Sequence, residues 1–285
     1  MEVERICVLG AGIMGSGIAQ VAAQAGYQVA MTDIDQRCLD TGFASIRKSL
    51  GIMQSKGKIN EDQLTEIVKR INGILDLKEA VGDADLVIEA VPEDLELKKG
   101  VFKKLDEICN EHTILASNTS SLSISALGRV TKRSDKVIGT HFANPAQVMV
   151  GLEVILGADT SQETLQVIQE VARRMGKDPH FCKDYPGFIG SRLLFTFINE
   201  AFWELFEGIA SAEHIDQHCK QQFRHPMGPL ELADFIGLDS LLSGGEYMHR
   251  ELGERFRPSP LMKQLVMAGH LGRKTGHGVY KYDNV

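Results

Sequence analysis

Residues 5–33 read RICVLGAGIMGSGIAQVAAQAGYQVAMTD, and the fold class turns on them. Residues 5–9 are a short apolar run. GAGIMGSG follows, then IAQVAAQAG at helical spacing with Gly26 placed to cap its end. A second apolar run, Tyr27 to Met31, closes on Thr32 and Asp33. Strand, glycine-rich turn, helix and strand follow one another as in a βαβ unit. Gly10, Gly12 and Gly15 fill G-x-G-x-x-G. Gly10 allows the tight turn, Gly12 lets the backbone approach a pyrophosphate, and Gly15 lets helix and strand pack closely. The diphosphate would lie on the N–H groups and positive dipole of the helix start, at Ile13 and Met14. Asp33 stands 18 residues beyond Gly15, at the end of the second strand. A carboxylate there accepts from ribose hydroxyls and repels a 2′-phosphate, which predicts NAD over NADP. FAD is the rival cofactor, because many flavoproteins share this opening. The bland alternative is a tight turn that binds nothing.

Bulk properties narrow the class. A chain of 285 residues suggests two domains. Apolar content of 43% with 24% charge fits a soluble globular protein. A formal charge of −7 argues against nucleic acid as the main partner, since phosphate binding wants a basic surface. No apolar run is long enough to predict a membrane span. MEVERICVLG carries acidic residues and enters a strand at once, so neither a signal peptide nor a transit peptide is expected. Cys7, Cys38, Cys109, Cys182 and Cys219 are scattered and form no CxxC. They predict reduced thiols and a cytoplasmic location.

Residues 36–71 carry helical spacing and no strand, with Asp35 and Asn60 as candidate caps. They predict a helical hairpin inserted between strands. Its tip, Ser55-Lys56-Gly57-Lys58, is basic. A solvated turn is the general reading of two such lysines; the sharper one makes Lys56 a phosphate contact for a long substrate arm. The strand–helix rhythm then resumes with DLVIEAV (85–91), LELKKGVFKKLDEIC (95–109), TILASN (113–118) and KVIGTHF (136–142). In such a sheet, ligands sit beyond the carboxyl ends of the strands. That places Glu93, Asn118 to Ser121, and His141 around one crevice. From Pro186 onward the pattern is helical, led by GFIGSRLLFTFINEAFWELFEG (187–208), which is apolar nearly all round. Such a helix must be covered by other helices or another subunit, so a homodimer is expected. His214 and His218 stand at i, i+4, but no HExxH surrounds them and no third ligand is evident. No metal site is expected. The predicted class is α/β: a Rossmann domain over 1–185 with a helical-hairpin insertion, then an all-α domain over 186–285 for substrate and dimerisation.

THFANPAQVMVGLEVI (140–155) holds the chemistry. His141 falls where a strand ends, and Glu153 lies inside the apolar returning strand VGLEVIL. Oxidising an alcohol with NAD needs a base for the hydroxyl proton, and histidine suits neutral pH. The imidazole becomes a cation during reaction, so a nearby carboxylate would fix its tautomer and stabilise its charge. A glutamate among Val, Leu and Ile is costly unless it is paired. Asn144-Pro145 supplies a turn that lets the two meet.

GAGIMGSGIAQ, VIEAVPED, ASNTSSLSI, HFANP, DYPGFIGSRLL, HPMGPLELADFIGLD and GRKTGHGVYKY fall in the order found in short-chain L-3-hydroxyacyl-CoA dehydrogenases. The chain resembles that family, notably its bacterial 3-hydroxybutyryl-CoA type, over nearly its whole length. The resemblance implies NAD-dependent interconversion of L-3-hydroxyacyl and 3-ketoacyl thioesters, a dimer built on the C-terminal domain, and a cleft between the domains. It implies roles residue by residue. His141 would be the catalytic base, Glu153 its carboxylate, and Ser120 the contact for the substrate hydroxyl. The glycine loop, Asp33, Glu93, Lys98, Ser120, Asn144 and Lys274 would contact the cofactor. Ser120, Asn144 and Ser191 would face the substrate, beside the Lys56 of the basic hairpin tip. Lys98 stands early in a helix, where a surface lysine is common, and Lys274 lies in a turn of a kind that is often a plain chain reversal.

The chain departs from the family's usual motif at four positions. Ala143 replaces a Phe, Gln147 a Pro, Val150 a Lys, and Ser191 a substrate-side Asn that precedes the Arg of GFIGSRLL. Ser191 reaches less far but still offers a donor and acceptors. Base and carboxylate are intact, so dehydrogenase chemistry is expected. The substrate has two readings: a short-chain 3-hydroxyacyl-CoA, or a polar acyl group on an acyl carrier protein, such as a glyceryl thioester in polyketide extender-unit supply. A non-catalytic sensor of NAD and acyl thioester is a third.

Overall fold

In the computed structural model, which describes residues 1–282, eight strands follow in chain order. They are β1 (Arg5–Leu9), β2 (Gln28–Thr32), β3 (Ile71–Gly73), β4 (Leu86–Glu89), β5 (Ile114–Ser117), β6 (Val137–Phe142), β7 (Gly151–Leu156) and β8 (Asp178–Lys183). One sheet holds them in the order β3-β2-β1-β4-β5-β6-β7-β8. Neighbours are parallel except β6 and β7, which run antiparallel. The strand order reverses between β1 and β4, and beyond their carboxyl ends such sheets bind ligands. The chain forms two compact units, Met1–Tyr185 and Pro186–Val285. The last three residues of the expected helical domain lie outside the described residues.

The first unit is α/β. Its helices are α1 (Ile13–Gln24), α2 (Gln36–Ser55), α3 (Glu61–Lys69), α4 (Leu77–Val81), α5 (Leu95–Ile108), α6 (Ile124–Gly128) and α7 (Gln162–Arg174). Strands β4 and β5 are buried along their whole length, which is why they read as largely apolar runs, each closed by one polar residue, Glu89 and Ser117. Helices α2 and α3 form the hairpin insertion between β2 and β3. Asp35 caps α2, accepting from the Cys38 N–H at 2.8 Å. Asn60 and Gln63 form a reciprocal capping box at the start of α3. Ile71, assigned to the helical stretch from its spacing, instead opens β3 and pairs with Val29. Three residues carry too little periodicity to declare a strand.

The second unit is helical: α8 (Gly190–Phe206), α9 (Ala212–Gln222), α10 (Pro229–Ile236), α11 (Leu238–Leu252) and α12 (Pro260–Met267). Helix α8 starts three residues later than its apolar pattern suggests, because Gly187 and Phe188 hold positive φ. Phe195, Ile198, Phe202, Leu230, Leu238 and Met262 form its core.

Candidate active site

The site begins where β1 passes into α1. Gly10 has φ +106°, and a Cβ there would lie 2.6 Å from the Ala90 carbonyl oxygen. A Cβ at Gly15 would fall 1.8 Å from the Gly10 oxygen, while at Gly12 it would meet nothing within 4 Å. Two glycines therefore serve close packing, and the third leaves the loop open to an approaching ligand. Helix α1 has no side-chain cap and no acidic residue in its first turn, so its positive end is not neutralised by its own residues. Asp33 binds the loop from the end of β2: Oδ2 accepts from the Ala11 N–H at 2.6 Å and Oδ1 from the Ile34 N–H at 2.7 Å. A carboxylate has about four acceptor positions, so capacity remains for a ribose. Ile34 is 91% exposed beside it and offers an apolar face to a flat base. Backbone donors for a diphosphate, a carboxylate for a ribose and an apolar platform fit a dinucleotide.

Beyond β4 and β5 lies a buried ionic network. Lys98 is not a surface lysine; it is 1% exposed. Its ammonium donates to Glu89 Oε1 at 2.6 Å and to the Val91 carbonyl at 3.2 Å, and lies 3.3 Å from Glu93 Oε2. Glu89 is fully buried, and its other oxygen accepts from the Ser117 hydroxyl at 2.7 Å. Glu93 Oε1 accepts from the Thr119 hydroxyl at 2.5 Å and the Ser120 N–H at 2.9 Å. Two carboxylates around one ammonium thus fix the segments that follow both strands. Ser120 itself is exposed.

His141 and Glu153 meet across the β6–β7 ladder. They are register partners, with Nδ1 2.6 Å from Oε2. Both are largely but not fully buried, at 19% and 14% side-chain exposure. The carboxylate acts as acceptor for an Nδ1–H, which leaves the lone pair of a neutral ring on Nε2. Asn118 Oδ1 accepts from the Phe142 N–H at 2.9 Å, tying the end of β6 to the end of β5. Asn144, Val148, Met149 and Val150 are exposed in the connection that follows, and Ala143 and Gln147 are half-buried.

The remaining candidates lie on other elements. Lys56 is exposed at the end of α2. Ser191 is the second residue of α8 and is half-buried. Lys274 lies in a short 3-10 turn, Arg273–Thr275, with its ammonium 2.6 and 2.7 Å from the two Asp239 oxygens. Burial alone would raise the Asp239 pKa, but the Lys274 ammonium and the Ser240 N–H bring it below the ordinary value. Among the described residues no group of three or more His, Cys, Asp or Glu side chains is placed to hold a metal ion.

Sequence reasoning passed over Glu89, although it is a carboxylate inside the apolar strand DLVIEAV. The signal that singled out Glu153 applies to it equally. Lys98, Asn118 and Thr119 gave no such signal as supports, because their partners come from other strands.

Two family models cover the chain. The NAD-binding domain of 3-hydroxyacyl-CoA dehydrogenase matches residues 5–185, and the C-terminal domain of 3-hydroxyacyl-CoA dehydrogenase matches residues 187–282. A probable 3-hydroxybutyryl-CoA dehydrogenase of Bacillus subtilis is 47% identical over 284 residues, covering 99% of both chains. The 3-hydroxybutyryl-CoA dehydrogenase of Clostridioides difficile is 42% identical and covers 98% of this chain and 99% of that one. The crystal structure of (S)-3-hydroxybutyryl-CoA dehydrogenase from Ralstonia eutropha superposes with a TM-score of 0.96 at 42% identity, covering 99% of this chain and 100% of that one.

Proposed function

Because the chain belongs to the 3-hydroxyacyl-CoA dehydrogenase family and is thus an NAD-dependent oxidoreductase, we propose that it interconverts a short-chain L-3-hydroxyacyl-CoA and its 3-ketoacyl-CoA, with His141 as base. The observation that carries this reading is the 2.6 Å pair of His141 and Glu153. His141 Nε2 takes the proton of the substrate hydroxyl as the alcohol carbon is oxidised. Bound NAD supplies the hydride acceptor. Glu153 holds Nδ1–H, selects the tautomer with its lone pair on Nε2, and stabilises the imidazolium that forms. In the reverse direction the same imidazolium returns the proton to the carbonyl oxygen. Ser120 donates to the substrate oxygen, and Asn144 adds to its polar surroundings. Gly10 to Gly15, Asp33, Glu93 and Lys98 would hold the cofactor. Lys56, an exposed cation at the hairpin tip, meets a phosphate of the CoA arm.

Two further assignments accompany this one. Leu193, Phe206 and Ile209 are exposed on or just after α8 and support a homodimer through the helical unit. Cys7, Cys38, Cys109 and Cys219 are free thiols, which supports a reducing compartment such as the cytoplasm. The second substrate reading is a polar acyl group on a carrier protein, favoured by Ala143, Gln147, Val150 and Ser191 together. Steady-state oxidation of 3-hydroxybutyryl-CoA beside a glyceryl-carrier thioester decides between them. Efficient NAD reduction with the CoA ester is expected. Turnover of the carrier ester alone overturns the CoA assignment, and turnover of neither would favour a sensor.

A further inference from the structure

Lys177 stands immediately before β8 and is 8% exposed. A buried lysine stem ordinarily carries its charge out to water. Here Nζ instead donates to two backbone carbonyls, Ala146 at 2.5 Å and Met149 at 2.6 Å. Burial pushes its ammonium below the usual lysine range. An ammonium held by neutral carbonyls alone is costly to bury, so its position needs a reason.

Both carbonyls belong to the segment that turns the chain from β6 into β7. The N–H groups of Val148 and Met149 both donate to the Pro145 carbonyl, at 2.9 and 3.0 Å. Residues 145–149 thus form a single turn whose carbonyl end faces a donor shortage, and Lys177 supplies that donor. The next residue continues the join: the Asp178 N–H donates to the Val150 carbonyl at 2.9 Å. On its other side the segment presses on α1. A Cβ at Gly17 would fall 2.8 Å from Gln147 Oε1 and 3.2 Å from Ala146 Cβ. The connection is therefore gripped between the helix after the glycine loop and the Lys177 ammonium. His141 and Glu153 are the second rung back from it, after Phe142 and Leu152.

We infer that Lys177 is a positioning residue: by binding the Ala146 and Met149 carbonyls it fixes the β6–β7 connection, and through it the approach of Glu153 to His141 and the placement of Asn144. This inference rests on His141 being the base. Lys177 touches neither substrate nor cofactor in this account. It acts by keeping the pair in reacting geometry, where a misplacement of about 1 Å costs roughly a hundredfold in rate.

The test is Lys177→Met in the full chain, with Lys177→Arg as the conservative partner. Lys177→Met is expected to lower kcat by about tenfold to a hundredfold, with the Kd for NAD little changed. The primary isotope effect on kcat, from substrate deuterated at C3, should rise as the chemical step becomes slower. Lys177→Arg, which keeps charge and donors, should recover most of the rate. Support of folding alone would reduce the amount of active protein and leave the isotope effect at its parental value; that result overturns the inference. Should Lys177→Met fail to fold, Lys177→Gln retains an uncharged amide with two N–H donors and is read in the same way. Amide exchange over residues 145–150 gives a readout that needs no turnover. Faster exchange in the variant supports the clamp and unchanged exchange overturns it. A parent chain that oxidises no 3-hydroxyacyl thioester overturns the functional assignment instead, and the exchange measurement still decides the clamp.

Discussion

His141 and Glu153 are direct partners across an antiparallel ladder, their nitrogen and oxygen 2.6 Å apart. Side chains facing each other in register share one face of the sheet. That placement resolves the cost of a carboxylate in an apolar strand, because the charge gains a donor. It also holds one ring nitrogen of the base and leaves the other to react.

Glu153→Gln keeps shape and hydrogen bonding but removes the negative charge, and its amide can present the wrong partner to Nδ1. A loss in kcat of about two to four orders of magnitude is expected, as for a triad carboxylate replaced by its amide. The KM for NAD should change little. Steady-state kinetics check it, and a kcat near the parental value would show that the pair is only structural.

Asp33→Ala should relax the preference for NAD over NADP, because the repulsion of a 2′-phosphate disappears. It should also weaken NAD binding, since the Ala11 N–H loses the acceptor that fixes the glycine loop. Ratios of kcat/KM for the two nucleotides measure the first effect. An unchanged ratio would mean that Asp33 only closes the strand end and loop.

Lys98→Met removes the ammonium that Glu89 and Glu93 share. Two carboxylates then face each other, one of them fully buried, and a loss of about 3–5 kcal/mol in unfolding free energy is expected. Glu89→Gln added to that variant should restore part of the loss, because the uncompensated buried charge is gone. Urea unfolding of the single and double variants reads both. Equal stability of the parent and Lys98→Met would contradict the network.

Much of the first unit was legible because its signals are local. The glycine spacing, the length of α1 and the apolar runs of β4 and β5 each lie within one short stretch. So do the caps at Asp35 and Asn60. Strand β8 was not legible: DPHFCK is largely exposed at the sheet edge, so no apolar run marks it. Strand β3 is too short to show a period. In the site, Glu153 declared itself because a lone carboxylate in an apolar strand demands a partner. Nothing local marks the burial of Lys98 or Lys177, because a stem of methylenes conceals where the ammonium ends. Their burial depends on carbonyls and carboxylates brought together by the sheet, which no local window contains.

The most direct test of His141 as the base is the turnover of His141→Ala on 3-hydroxybutyryl-CoA with NAD, with cofactor affinity measured alongside. The expected result is a kcat lower by about two to four orders of magnitude, with NAD still bound. A kcat within a small factor of the parent would contradict the assignment of the base.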